Sequence, residues 1–499
     1  MLQQIHNAPT NLQAPTNLQG SNSPVFPLKI LGPMTHCQLF DGRPYQYGPS
    51  LCVQKLMFDS KSSRSVLVYY PLGSGKTLAA LHAARVFLVT HPKSKVIVLT
   101  TKTNIDTSWK DNLSKYKASE SFAFKNILVK NVDWWFSEEN KPVAHYNRLI
   151  RLLVSATGGS RRTYMSMRWT ALVKEIKHVP HGSKSTKPLR KMRKFQCATP
   201  KKSFLDLCCP KDYFLVVDEC QQYVNTCGKS VFVQELCKRS AFSLLLSATP
   251  LDDSSQHPGL CRMMGTCHLD RRILYVPVMK HQAVHHRYMG SQMSPDEWQE
   301  YVLERSKRQD AYLSRSRQFC NATSKWRRIF RQIVKDNASR TVVYSFFRER
   351  GADGFFDYAC AQDSSLEFRL FKDTADMEWF HSGAGRVLII TSRAQTGISL
   401  MGVDAFHIME PQWSASDEDQ AIGRATRIGS RECSTPLVVY HWIALASNHV
   451  YVTADESVRD SMVRKKARTD RLLASLAATG ARTLQRLYDT FGVGQYLER

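Results

Sequence analysis

Three groups of residues, far apart in the 499-residue chain, have the types and spacing to bind and cleave a nucleoside triphosphate. The first is Gly73-Ser74-Gly75-Lys76-Thr77, set between the apolar runs Val66-Leu67-Val68 and Leu78-Ala79-Ala80-Leu81. A strand, a glycine turn and a helix start in that order turn backbone N–H groups onto phosphate, with Lys76 reaching the β/γ-phosphates and the Thr77 hydroxyl holding Mg2+. Tyr70 stands where the longer form of this pattern has its first glycine, which disfavours a small-molecule kinase. The second group is Asp218-Glu219, directly after Tyr213-Phe214-Leu215-Val216-Val217. Two carboxylates at the end of a buried strand are costly without a cation. They divide the labour: Asp218 binds Mg2+, and Glu219 positions or deprotonates the attacking water. The third group is Gln420, Arg424 and Arg427, at spacings of four and three. On a helix those spacings share one face, from which the two arginines can stabilise a transferring phosphoryl group as arginine fingers.

Weaker signals surround these. Gln46, in Arg43-Pro44-Tyr45-Gln46, lies where a segment can fold back over the base of a bound nucleotide, and its amide suits the edge of adenine. Thr100 and Thr101 end the strand-like run Lys95 to Leu99, where hydroxyls can hold a phosphodiester backbone or simply start the next connection. Ser247-Ala248-Thr249 ends the run Phe242 to Leu246, where small hydroxyls can sense the γ-phosphate and pass its loss to a neighbouring lobe.

The elements that must position these groups are legible from the apolar runs. Strand-like stretches alternate with helical ones before and after a middle segment, which predicts two α/β lobes. Residues 1–35, with Ala-Pro-Thr-Asn-Leu-Gln twice in succession, are expected to be a disordered tail. Residues 36–270 form the first, ATP-binding lobe, with a basic insertion at about 158–205, and 271–335 read as a helical connector. Residues 336–450 form the second lobe, which has no P-loop of its own, and 451–499 a basic helical tail that either packs back on a lobe or binds nucleic acid.

Composition points to the partner. A formal net charge of +26 and a pI near 9.6 favour a polyanion. No apolar run approaches the roughly 20 residues that span a bilayer, so the expected protein is soluble and intracellular and its partner nucleic acid rather than membrane. The insertion carries Tyr164, Trp169 and Phe195 among its lysines and arginines, as a phosphate-tracking surface would. The thirteen cysteines lack a Cys-x-x-Cys pair, so reduced thiols are expected rather than a zinc module.

Taken in order, Gln46, Gly73 to Thr77, Asp218-Glu219, Ser247-Ala248-Thr249, Thr396-Gly397-Ile398-Ser399 and Gln420-Ala421-Ile422-Gly423-Arg424-Ala425-Thr426-Arg427 resemble the superfamily 2 helicases and translocases. Thr396 to Leu400, Asp404, Glu410, Trp413 and the Gln420 to Gly429 segment look most like Snf2-type translocases and their relatives in large DNA viruses. The resemblance implies two tandem RecA-like lobes with ATP and Mg2+ between them, Gln46 at adenine and Arg424 and Arg427 completing the site. Thr396, Gly397 and Trp413 join Thr100, Thr101, Ser247, Ala248 and Thr249 as candidates for coupling or nucleic-acid contact. Cys220-Gln221 departs from the Ala-His or Ala-Asp that many relatives carry there. The expected function is ATP-driven movement along nucleic acid, DNA more than RNA, within viral transcription or replication. The expected location is a host nucleus, a cytoplasmic viral factory or the virion. The alternative is a non-catalytic nucleic-acid-binding transcription subunit that ATP gates.

Overall fold

The computed structural model describes residues 64–70, 75–105, 109–119, 126–136, 141–179, 189, 202–225, 228–266, 272–275, 283–306, 313–362, 365–392, 398, 400–426, 436–447 and 451–491. The expected tail at 1–35 and the residues Gln46, Gly73, Ser74, Thr396, Gly397 and Arg427 lie outside them.

Two six-stranded sheets, parallel throughout, organise the chain. The first has the order β3-β2-β4-β5-β1-β6, with β1 Ser65–Tyr69, β2 Val96–Leu99, β3 Ile127–Lys130, β4 Phe214–Asp218, β5 Phe242–Ser247 and β6 Ile273–Tyr275. Strands β1, β2, β4 and β5 are near-continuous aliphatic runs, as a sheet covered on both faces requires. Helix α1 (Lys76–Thr90) follows β1, and its small residues Ala79, Ala80, Ala83 and Ala84 are all buried. Helix α2 (Lys141–Thr157) and the short helices after it pack Tyr146, Leu149, Ile150, Tyr164, Trp169 and Phe204 into the same core. Helix α3 (Gly228–Arg239) adds Phe232, Val233 and Leu236.

The second sheet has the order β7-β12-β11-β8-β10-β9. Its strands are β7 Val284–Gln292, β8 Arg340–Ser345, β9 Glu367–Leu370, β10 Arg386–Thr391, β11 Ala405–Ile408 and β12 Leu437–Leu445. Alternation along the strands divides two cores: Val342, Tyr344, Leu388 and Phe406 on one face, Val343, Val387, Ile389 and Ala405 on the other. Helix α4 (Thr323–Asp336) covers the second face with Ile329 and Ile333, and helix α5 (Ala415–Ile422) covers the first with Ala421 and Ile422.

Helix α6 (Ala454–Phe491) runs 38 residues, about 57 Å at 1.5 Å per residue. Its first turn is rooted in the second lobe, where the fully buried Asp455 pairs with Lys325 at 2.6 Å and also accepts the Ala444 amide. Farther along, Leu476 joins the core of the first lobe, and Gly480 lies against the backbone of Tyr275 in β6. One helix therefore packs on both lobes.

Two expectations change. Within 271–335 the chain contributes β6 to the first sheet and β7 to the second, in addition to three helices. Both are edge strands, one only three residues long and the other largely exposed, so neither has the apolar run that marks a buried strand. In the basic insertion Tyr164 and Trp169 are 6% and 5% exposed and belong to the core, so neither ring is presented for base stacking. The arginines and lysines of the middle segment are partly spent internally. Arg317 donates to the Pro411 carbonyl, Arg328 to that of Gly290 and Arg305 to that of Val452.

Candidate nucleotide site and its link to the second lobe

The first sheet delivers its chemistry along one edge, the carboxyl ends of β1, β2, β4 and β5, where open parallel sheets bind ligands. After β1, Gly75 adopts φ 83° and ψ 25°, a left-handed conformation that glycine supplies without strain, and α1 begins at Lys76. No side chain caps that helix start, so its leading N–H groups are directed at whatever anion sits there. Lys76 is 8% exposed and its ammonium donates to the Tyr70 carbonyl at 3.2 Å. Thr77 follows it in the first turn, half-buried.

Asp218 closes β4. Its Oδ2 accepts the Thr100 hydroxyl at 2.8 Å and the Trp109 indole N–H at 2.9 Å, and its Oδ1 accepts the Glu219 amide at 3.1 Å. Burial pushes the Asp218 carboxyl up, as does the charge of Glu219. The bonds from Trp109 and Thr100, and the charge of Lys76, pull it back. Glu219 has φ 51° and ψ 52°, in a region that non-glycine residues rarely occupy; strain of this kind concentrates at functional sites. The hard oxygens of Thr77 and Asp218 fit Mg2+, beside a lysine and an uncapped helix start that fit phosphate.

From Glu219 a chain of hydrogen bonds leads away. The Gln221 amide donates to Glu219 Oε2 at 2.8 Å and accepts the Ser247 hydroxyl at 2.7 Å. The Ser247 oxygen in turn accepts the Thr249 amide at 2.9 Å. The Thr249 hydroxyl lies 2.7 Å from that of Ser416, in the first turn of α5 in the second lobe. Burial raises the Asp252 carboxyl, and hydrogen bonds from Ser416 and Ser414 offset only part of that rise. Gln221 therefore spans the gap between Glu219 and Ser247.

Helix α5 carries Gln420 on its last turn and stops at Ile422. Gly423 bonds back to Asp419, but Arg424 and Ala425 bond three residues back, to Ala421 and Ile422, so the helix tightens and ends. Arg424 therefore sits in the turn beyond the helix that was expected to carry it, 7% exposed, with its carbonyl accepting the Leu400 amide. The glycine at 423 accounts for the early stop.

Two nucleic-acid candidates have other engagements. Thr100 is fully buried and its hydroxyl is given to Asp218, so it is not a phosphodiester contact. Trp413 is half-buried, with the Arg317 guanidinium 6.0 Å and the Lys465 ammonium 5.5 Å from its ring centroid. Thr101 accepts the Asn104 amide at 3.2 Å, and Ala248 lies between the two bonded hydroxyls. Trp109 and Ser416 were not singled out as site residues, because an indole donor and a short serine carry no signature in spacing. Only the 109-residue gap closed by the β2–β4 pairing brings Trp109 to Asp218.

Residues 40–252 match the family of the type III restriction enzyme res subunit, and residues 325–429 match the helicase conserved C-terminal domain. A relative from Acanthamoeba polyphaga mimivirus, whose name describes an ATP-dependent RNA helicase, is 32% identical over 91 residues. That match covers 17% of this chain and 20% of the relative, so the shared stretch is about a fifth of the relative's length. Two matched helicase domains in sequence, each on its own parallel sheet, identify the chain as a superfamily 2 helicase or translocase built from two tandem RecA-like lobes.

Proposed function

We propose that the chain is a nucleic-acid-dependent ATPase that moves along DNA, of the Snf2-like kind found in large DNA viruses, and that it serves viral transcription or replication. The observation that carries this reading is the hydrogen-bonded path from Glu219 through Gln221, Ser247 and Thr249 to Ser416. It runs from the hydrolytic carboxylate to the other lobe without a break.

In this reading Lys76 and the leading amides of α1 bind the triphosphate, with Gln46, Gly73 and Ser74 supplying the adenine contact and the rest of the turn. Thr77 and Asp218 would hold Mg2+, which when bound neutralises phosphate charge. Glu219 orients and deprotonates the attacking water, and Gln221 keeps its carboxylate turned toward that task. Gln420, Arg424 and Arg427 complete the site from the second lobe. When the γ-phosphate departs, Glu219 loses its partner, the amide of Gln221 is free to follow it, and the Ser247 and Thr249 bonds pass the change to α5. The high positive charge supports a polyanionic track. Among the described residues no helix is long and apolar enough to cross a membrane.

The test is steady-state ATP hydrolysis by the full chain, alone and with single-stranded DNA, duplex DNA or RNA at fixed salt, beside Lys76→Ala and Glu219→Gln. Stimulation by DNA that both substitutions abolish is the expected result. Stimulation by RNA alone would move the track to RNA. No hydrolysis above the two controls, with nucleic-acid binding intact, would leave an ATP-gated binding subunit instead.

A further inference from the structure

Asp218 is held more tightly than strand geometry alone requires. An ionised carboxylate offers about four lone-pair positions. Three are taken here: two on Oδ2, by the Thr100 hydroxyl and the Trp109 indole, and one on Oδ1, by the Glu219 amide. The carboxylate therefore cannot rotate about its last side-chain bond without breaking at least one short hydrogen bond. The remaining position is on Oδ1, the oxygen left partly open.

Trp109 is an unusual choice for this work. It is 1% exposed, among the largest fully buried side chains of the described residues, and it directly precedes the helix at Lys110–Ser119 beyond β2. A tryptophan buried only for packing needs some acceptor for its N–H, and backbone carbonyls are the commonest supply. This one is aimed at an acidic oxygen at the carboxyl edge of the sheet. The indole N–H is a donor only, so unlike the Thr100 hydroxyl it cannot reverse its role. Strand β2 lies directly beside β4 in register Leu99↔Val217, so the segment after β2 is the one that can reach over the end of β4.

We propose that Trp109 is a positioning residue for the divalent cation of the ATPase reaction: with Thr100 it fixes the Asp218 carboxylate so that the open position on Oδ1 is presented to the metal. The inference rests on the reading of Asp218 as the Mg2+ ligand. It gives the segment after β2 a task in the nucleotide site, where the sequence alone suggested a phosphodiester contact. Partners of a metal-ligating group typically change metal affinity by 10- to 100-fold when removed.

The experiment measures equilibrium binding of a fluorescent ATP analogue to the full chain as a function of Mg2+ concentration, and separately in EDTA. Trp109→Phe keeps the ring and removes the donor. It is expected to raise the half-saturating Mg2+ concentration by roughly tenfold or more while leaving metal-free nucleotide affinity within about twofold of the parent. Thr100→Val should move the same quantity in the same direction. An unchanged Mg2+ requirement in Trp109→Phe would overturn the proposal, and so would an equal loss of metal-free affinity, which marks a packing role. Asp218→Asn is the control that separates the two readings. If it leaves the parent's Mg2+ dependence intact, the assignment of Asp218 fails, and the role of Trp109 with it.

Should Trp109→Phe fold poorly, indole-15N labelling of the native chain reads the same bond. One indole resonance should shift both on Asp218→Asn substitution and on adding Mg2+ with the nucleotide. Absence of any indole resonance that responds to both would equally refute the role.

Discussion

The hydroxyls of Thr249 and Ser416 lie 2.7 Å apart, one just past the end of β5 in the first lobe and the other in the first turn of α5 in the second. Ser416 is 7% exposed, and its amide is held by the Ser414 side chain at 3.1 Å, so the contact joins two ordered turns. One neutral hydrogen bond contributes about 0.5–1.5 kcal/mol. Thr249→Val and Ser416→Ala should therefore each lower nucleic-acid-stimulated turnover severalfold and leave nucleotide affinity unchanged. The double variant should be no worse than the poorer single one. A double-mutant cycle in the stimulated rate measures this, and strictly additive effects would show that the contact carries no coupling.

Gln221 is the narrowest point of the path, since its two amide ends serve Glu219 and Ser247 separately. Gln221→Leu leaves the fully buried Ser247 hydroxyl without its acceptor, at a cost of about 1–3 kcal/mol, and releases Glu219. The expected outcome is a kcat for ATP lowered about tenfold at nearly unchanged KM, because the lost interaction would act on the carboxylate proposed to handle the attacking water and not on nucleotide binding. Steady-state kinetics decide it, and a pure rise in KM would place Gln221 in the binding of ATP instead.

The β4 run ending in Asp218-Glu219 and the helix start at Gly75-Lys76 were legible because each lies in a continuous pattern of local residue types, and a parallel sheet then brings their ends to one edge. The hydrogen-bonded path was only half legible. Ser247 and Thr249 stand at a strand end that chemistry favours, but the reach of Gln221 depends on the left-handed backbone of Glu219, which no spacing announces. Strand β7 escaped notice because a run that is mostly polar or small can form an edge strand as easily as a loop once β12 offers a partner. Charge in the middle segment is likewise no guide to exposure: Lys325 and Arg317 look like surface cations in the sequence, yet both are 1% exposed and hydrogen-bonded within the lobe.

Gly480 decides whether α6 lies on the first lobe. A Cβ there would come within 2.6 Å of the Tyr275 Cβ and 2.7 Å of its backbone nitrogen, and backbone cannot turn aside as a side chain can. Gly480→Val should lift the distal half of α6 from β6, with an overpacking penalty of about 1–3 kcal/mol. The proximal turns stay rooted by Asp455 and Lys325. Amide hydrogen exchange should then quicken around residues 472–487 by one to two orders of magnitude, while 454–462 keep their protection. Uniform protection along the whole helix would mean that the first-lobe contact does not hold it.

His407 gives the second lobe a pH dependence whose sign can be fixed. It is fully buried in β11, stacked on Tyr440 at 4.7 Å, and its Nδ1 accepts the Trp442 indole N–H at 3.2 Å, which leaves the proton on Nε2. Burial pushes its pKa down from 6.5 to about 3. The unfolded chain therefore binds a proton below pH 6.5 that the folded chain refuses. The stability is fully present above that pH and is lost as pH falls toward 3. Between pH 7 and pH 5 the loss from this one group is on the order of 2 kcal/mol. His82, whose pKa burial lowers to about 4, acts in the same sense, whereas the buried carboxyls of Asp218 and Glu410 are raised and act in the opposite one. His407→Gln keeps an acceptor for Trp442 and cannot titrate, so comparing its urea midpoints with the parent's at pH 7 and pH 5 cancels the other groups. The parent should lose more stability than the variant on acidification, by about 2 kcal/mol. Equal losses would mean that His407 is already protonated in the folded lobe at pH 5.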